Sequence, residues 1–359
     1  MKRLITLLAL IGAVVPAGCS ESIPTSATTQ PTAASTSLPT AAPIATSTPT
    51  AAPSSTPEPT SLFVLDTDHP VLRHGKFGNT TYSGPVVEHE GTFYLFYVVF
   101  GAAPTDPEQI GYATSTDGRE WTPASDTPLL SGTDVTYLPA NKISVAGVVV
   151  EDNGTWVMYV DVWEPIRNGR SAILRAEAPD PEGPWTIGPD PVLEPGESGA
   201  WDGTQVFAAS VLRTEDGYLM AYSGSSDGKP DSIGIAQSED GITWTKQTDP
   251  VLVPEADWEA QGISSPSIIR TQGGYMMLYF SIQPSGERAF GLARSADGLT
   301  WERHPRNPVF TPTDAPPNLF VHSSTLLCPS DQCWLLIELV VNSSHSDLWL
   351  ADAEGDLWP

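Results

Sequence analysis

Cysteine is scarce in this chain, with three residues among 359, at positions 19, 328 and 333. That is too few for a disulfide-built scaffold, and no close Cys/His spacing marks a zinc site. Positive charge is scarce too: 17 Lys and Arg stand against 43 Asp and Glu, a formal charge of −26. A surface of that sign repels a phosphate backbone and gains nothing from anionic lipid, which excludes nucleic acid and basic membrane docking. The six histidines are scattered and no acidic loop carries a calcium-ligand series, so no metal or cofactor is expected. Helical apolar spacing over roughly ten or more residues is also missing. What remains is proline, glycine and tryptophan, 35, 30 and 11 of them, unevenly placed.

The N-terminus carries an address. Lys2 and Arg3 precede an apolar run over residues 4–15, too short to span a bilayer but suited to an export signal. The run ends in Pro16-Ala17-Gly18-Cys19, which resembles the lipobox of bacterial lipoproteins. That resemblance implies lipidation of Cys19 and a place in the bacterial cell envelope, outside the cytoplasm; an ordinary signal peptide cut nearby is the alternative. Residues 20–61 are almost wholly Ser, Thr, Ala and Pro, with Glu21 and Glu58 the two charges. Such a segment cannot bury enough surface to offset ordering entropy and reads as a disordered, extended tether. Residues 1–19 are thus expected to be a signal, 20–61 a tether and 62–359 the folded domain.

That domain repeats itself. A phrase Ser-x-Asp-Gly-x-x-Trp, or a degenerate copy, ends at Trp121, Trp185, Trp244, Trp301 and Trp358, with spacings of 64, 59, 57 and 57. A second phrase, Pro-Val-Leu or a variant, starts at Pro70, Pro128, Pro191, Pro250 and Pro308. In the fourth copy, β-rich runs at 263–270, 275–281 and 290–295 precede a further strand at Thr300. Four antiparallel strands per repeat, five times over, predict an all-β, five-bladed β-propeller. Asp-Gly reads as a two-residue hairpin turn, and the Trp after it as inter-blade packing. Because the chain stops after Trp358, residues 62–66 are expected to supply the last blade's outer strand and close the ring. Cys328 and Cys333 flank a turn and are expected to pair as a hairpin staple.

The blade phrases Asp190-Pro191-Val192-Leu193, Trp201-Asp202, Pro266-Ser267-Ile268 and Ser238 to Trp244 resemble those of one superfamily. It contains the arabinanase, levansucrase and invertase glycoside hydrolases (families 32, 43, 62 and 68, with 130 nearby). The resemblance implies hydrolysis of glycosidic bonds by two carboxylates in a central funnel, one an acid and one a base or nucleophile. In arabinanase-like members an inner-strand Asp precedes Pro; here Gly84 precedes Pro85, and the inner strands lack the expected carboxylates.

Acids slightly upstream, Asp202 and Glu259, are therefore the candidate catalytic pair, while Asp161 and Glu338 lie on second strands. Tyr82, Tyr137, Trp201 and Trp258 are candidate ligand contacts, since sugar rings stack on aromatic faces, and His322 is one as a hydrogen-bond partner for hydroxyls. The leading expectation is an exported, surface-anchored carbohydrate-active propeller that binds extracellular oligosaccharide; if it is an enzyme, it is expected to be a glycoside hydrolase. A non-catalytic glycan-binding propeller and an envelope protein-interaction scaffold are the alternatives. The acidic surface favours a neutral glycan, and a monomer whose membrane contact is the lipid anchor is expected.

Overall fold

The computed structural model describes residues 61–358, apart from 74–79, 101–102, 104–105, 125–126, 139–141, 165–168, 330–331 and 343–344. The export signal with Cys19 and the tether before Ser61 lie outside the described residues. A short strand, β1 (Phe63–Leu65), precedes the first blade, β2–β5 (Thr80–His89, Thr92–Phe100, Gln109–Ser115, Thr122–Pro123), to which β6 (Leu130–Ser131) adds. Blade two is β7–β10 (Ile143–Val150, Trp156–Trp163, Ser171–Ala178, Thr186–Ile187). Blade three is β11–β14 (Gln205–Thr214, Gly217–Ser225, Ser232–Ser238, Thr245–Lys246), and blade four is β15–β18 (Ser264–Thr271, Gly274–Ile282, Arg288–Ser295, Glu302–Arg303). Blade five is β19–β21 (Phe320–Leu327, Trp334–Asn342, His345–Ala353), with β1 as its fourth strand.

The second strands read as nearly continuous apolar runs because each blade is covered on both faces. In β8, all but the last residue of Trp156–Trp163 is buried. Five separate apolar cores result, one at each blade junction. Phe96 and Met158 share the first, Met220 and Tyr159 the next, Ile235 and Met277 a third, Phe290 and Ile337 a fourth, and Leu336 with Tyr97 the last.

Ring closure follows the sequence expectation. Phe63 pairs with Ala353 and Leu65 with Ala351, antiparallel; Leu62 and Phe63 are buried at 3% and 1% exposure. The Pro-Val-Leu phrase has one job throughout: its third residue bridges the third strand of its own blade, as Leu193 to Ile173, Leu252 to Ile233 and Phe310 to Phe290. Leu72, in the N-terminal copy, makes that bridge to Leu348 of blade five.

The tryptophans also do what the repeat implies. Trp185 of blade two meets Phe96 of blade one at 6.2 Å, and Trp244 of blade three meets Tyr159 of blade two at 5.7 Å. The Asp-Gly pair differs from expectation. Blade three's third strand ends at Ser238 and its fourth starts at Thr245, so the connection is longer than a two-residue hairpin. Asp240 Oδ1 accepts the Ile242 and Thr243 amides at 2.8 and 2.7 Å, and Ser238 Oγ accepts the Gly241 amide at 2.9 Å. The carboxylate caps a loop, and only Gly241 of the pair has positive φ, at 70°. Cys328 and Cys333 form a disulfide across the β19–β20 connection.

Candidate functional site at the funnel mouth

Inner strands start, second strands end and third strands start on one face of the ring, so side chains at those termini surround one mouth of the axial channel. Each inner strand carries a register shift just inside that mouth: Ser83/Val86, Val145/Gly147, Phe207/Ser210, Ser264/Ser267 and Val321/Ser323. Ala208 and Ser265 hold positive φ there, at 46° and 52°. The preceding blade catches the kinked backbone: Ser223 Oγ accepts the Ser265 amide at 2.9 Å, and Asp161 Oδ1 accepts the Ala209 amide at 3.5 Å. Ser144 Oγ donates to the other Asp161 oxygen at 3.0 Å, and burial pushes this carboxyl up to about 7. Beyond the shifts the axis turns apolar, a cavity of about 250 Å³ lined by Val86, Val148, Val211, Ile268 and Leu326 among others. The polar half of the channel is therefore the half at the mouth.

Four side chains from three blades meet in that half. Tyr82 and His322 pack edge to face with ring centres 5.3 Å apart. His322 Nδ1 lies 2.9 Å from Glu338 Oε2, and Ser323 Oγ donates to the same oxygen at 2.7 Å. Glu338 is fully buried, whereas 23% of the His322 side chain stays accessible. Burial alone would raise the Glu338 carboxyl, but the His322 ring and hydrogen bonds from His322, Ser323 and Ser346 hold it below its ordinary value. Burial lowers His322; Glu338 opposes this and the Arg288 charge adds to it. Nδ1, 2.9 Å from a carboxylate oxygen, donates its hydrogen to Glu338, and Nε2 takes no part in that bond. Burial raises the Tyr82 phenol, which also feels the charges of Arg288, Glu338 and Asp161. Arg288 is 7% exposed, sits over the Phe280 ring at 5.1 Å, and its Nε is buried without a partner among the described residues.

Of the residues expected from sequence, the structure brings Tyr82 and His322 together. Asp202 and Glu259 instead form two copies of one arrangement. Asp202 accepts from Lys246 Nζ at 2.7 Å and Tyr222 OH at 3.1 Å. Glu259 accepts from Tyr279 OH at 2.8 Å and lies 3.3 Å from Arg303 Nε; it also takes the Glu255 amide at 2.8 Å. The two carboxylates are 3% and 0% exposed. Trp201 stacks on Tyr222 at 5.4 Å and Trp258 on Tyr279 at 5.8 Å, so both indoles belong to these units. Tyr137 donates to Glu194 at 2.5 Å, away from the Tyr82 cluster.

Sequence reasoning missed Arg288, yet a signal for it exists. Two positions before the third-strand residue that meets each Pro-Val-Leu phrase (Ile110, Ile173, Ile233, Phe290 and Leu348) stand Glu108, Ser171, Asp231, Arg288 and Ser346. In the first two blades this position accepts an amide of the next inner strand: Glu108 from Ile143 at 3.1 Å and Ser171 from Val206 at 2.9 Å. A guanidinium has no acceptor, so blade four gives up that job.

The fold and the site together define a five-bladed propeller whose polar mouth presents an aromatic ring, an imidazole and a buried cation. The model of glycosyl hydrolases family 43 matches residues 77–348, and the chain belongs to that family. It is 34% identical over 102 residues to the beta-1,2-mannobiose phosphorylase of Thermoanaerobacter sp. (strain X514), covering 25% of this chain and 34% of that one. Against the 1,2-beta-oligomannan phosphorylase of the same organism, identity is 27% over 122 residues, or 32% and 41% of the two chains. The matched stretch thus spans less than half of these curated relatives.

Among solved structures, a glycosyl hydrolase from Bacteroides ovatus superposes with a TM-score of 0.61 at 16% identity, covering 81% of this chain and 96% of that one. A thermostable family-43 glycoside hydrolase gives 0.57 at 17%, covering 77% and 90%. At these identities the likeness is one of fold.

Proposed function

We propose that this protein is an exported, surface-anchored carbohydrate-active propeller that takes extracellular oligosaccharide into its funnel mouth. The observation that carries the reading is the cluster of Tyr82, Arg288, His322 and Glu338 at the polar end of the axis. Tyr82 offers an apolar ring face to a sugar, and the Glu338-locked imidazole offers Nε2 to a hydroxyl. Most of the ligand is uncharged, because a surface of formal charge −26 repels an extended polyanion. Calorimetric titration with a glycan panel tests this. Saturable binding that weakens at least about tenfold in Tyr82→Ala or His322→Ala is expected, about 1.4 kcal/mol; binding unchanged in both variants would refute it. The N-terminal reading supports lipidation at Cys19 and action as a tethered monomer; Cys19→Ser would then release the protein from the membrane fraction.

Hydrolysis is the second reading, favoured by family membership and by two carboxylates with opposed proton affinities near Tyr82. Asp161 is pushed up to about 7 while Glu338 is held low, the split that acid and base roles require. Product release abolished by Asp161→Asn and Glu338→Gln would support this pair. Loss in Asp202→Asn or Glu259→Gln, with the fold intact, would assign the chemistry to those carboxylates instead.

A further inference from the structure

Arg288 is expensive where it stands. It opens the third strand of blade four and is 7% exposed, and its side chain makes no hydrogen bond or ion pair with the described residues. Taking a guanidinium out of water without a partner is strongly unfavourable, and the repeat gives no structural reason for it. Glu108 and Ser171, at the same position in blades one and two, accept an amide of the next blade; arginine cannot. Glu338 Oε2 is engaged by His322 and Ser323; its Oε1 is buried and makes no hydrogen bond with the described residues, and no ion pair joins this carboxylate to Arg288. Phe280 packs against the guanidinium at 5.1 Å, which fixes its plane. A planar fork of donors is thus held at the mouth of a glycan funnel with no acceptor among the described residues.

A carboxylate matches such a fork with two parallel hydrogen bonds. One cation beside the Glu338 carboxylate suits a monoanion and suits a phosphate dianion poorly. We propose that Arg288 receives the carboxylate of a uronic-acid residue carried on an otherwise neutral glycan. Tyr82 and His322 then contact the same sugar, through its ring face and a hydroxyl. The inference rests on the funnel being the glycan site, and it narrows the ligand from any oligosaccharide to one with a single acidic sugar at the mouth.

Calorimetry on the intact protein tests it with three probes: uronate-containing oligosaccharides, the same oligosaccharides after reduction of their carboxyl groups, and inorganic phosphate. The expected result is that the acidic form binds about a hundredfold more tightly than its reduced counterpart, a preference of two decades in Kd. Arg288→Met is expected to lose that preference, the acidic and reduced forms then binding alike, and Arg288→Lys to keep a small part of it. A thermal midpoint for Arg288→Met at or above the parent value would show that a folded protein lost the preference. Equal affinity for acidic and reduced glycans overturns the proposal while leaving the glycan-binding reading intact. Arg288-dependent binding of phosphate with none of uronate overturns it in favour of a phosphate site. Failure of every glycan to bind overturns both readings.

Discussion

Two groups of buried charges in this propeller look alike in composition and differ in everything else. Asp202–Tyr222–Lys246 and Glu259–Tyr279–Arg303 occur at matching places in blades three and four, and every charge in them has a partner. The mouth set of Tyr82, Arg288, His322 and Glu338 is drawn from blades one, four and five; its Ser323–Glu338 contact has a counterpart in Ser144–Asp161 of blade two, but Arg288 stands without a partner among the described residues. In a repeat protein, a polar group that recurs with its partners serves the blade, because each blade must solve the same packing problem. A polar group that breaks the repeat and stays unsatisfied costs stability, and such costs gather at functional sites. The comparison thus separates scaffold from site without any ligand in view.

The scaffold side of the comparison breaks first under mutation. Deleting residues 62–66 removes the fourth strand of blade five and should abolish cooperative unfolding at the parent midpoint. The milder Phe63→Ala is expected to cost about 3–5 kcal/mol in denaturant titration, with glycan affinity of the folded fraction unchanged. Glu259→Ala leaves Arg303 and Tyr279 without their buried partner and should cost about 3–5 kcal/mol, again without a change in affinity. If Glu259→Ala instead lowered affinity and left stability alone, the assignment of the triads to the scaffold would fail. On the site side, His322→Gln is expected to change stability by less than about 1 kcal/mol while weakening binding.

The smallest effect concerns pH. Burial raises Glu108 and Asp161 to about 7 and Asp231 to about 6, with Lys142 opposing the shift at Glu108. Groups raised on folding contribute stability that is complete below their unfolded values, near pH 4, and is lost as pH rises through about 6 to 7. Backbone amides lower Asp240 and Asp297 to about 2. Their contribution is present above about pH 4 and is lost as pH falls toward 2. The thermal midpoint should therefore peak near about pH 4–5 and decline toward pH 8. Asp161→Asn should flatten part of that decline, measurable by scanning fluorimetry across buffers.

Much of the fold was legible because its causes are local and repeated. The tryptophans mark blade junctions, the Pro-Val-Leu phrase marks a bridge to the third strand, and the short apolar run before the first copy of that phrase pairs with the last blade. The Asp-Gly turn was misjudged because its carboxylate serves as a cap for two amides, which spacing alone does not distinguish from a tight hairpin. The site was less legible for the same reason that the fold was legible. Tyr82 stood out as an aromatic, and His322 as a hydrogen-bonding side chain, near the start of inner strands. Arg288 and the Glu338–His322 lock depend on side chains of different blades converging on the axis. Trp201 and Trp258 drew attention as aromatics on which sugar could stack, yet they stack on Tyr222 and Tyr279 of their own blades. Aligning the five copies by their Pro-Val-Leu bridges shows Arg288 as the cation in a row that otherwise reads Glu, Ser, Asp and Ser.

The central claim is that the mouth cluster holds ligand and the repeated triads do not. A crystal of the protein soaked with a binding oligosaccharide addresses it directly. The account predicts sugar density against Tyr82 and His322 at the polar end of the channel, with Lys246 and Arg303 still paired to Asp202 and Glu259. Sugar stacked on Trp201 or Trp258, with the mouth empty, would contradict it.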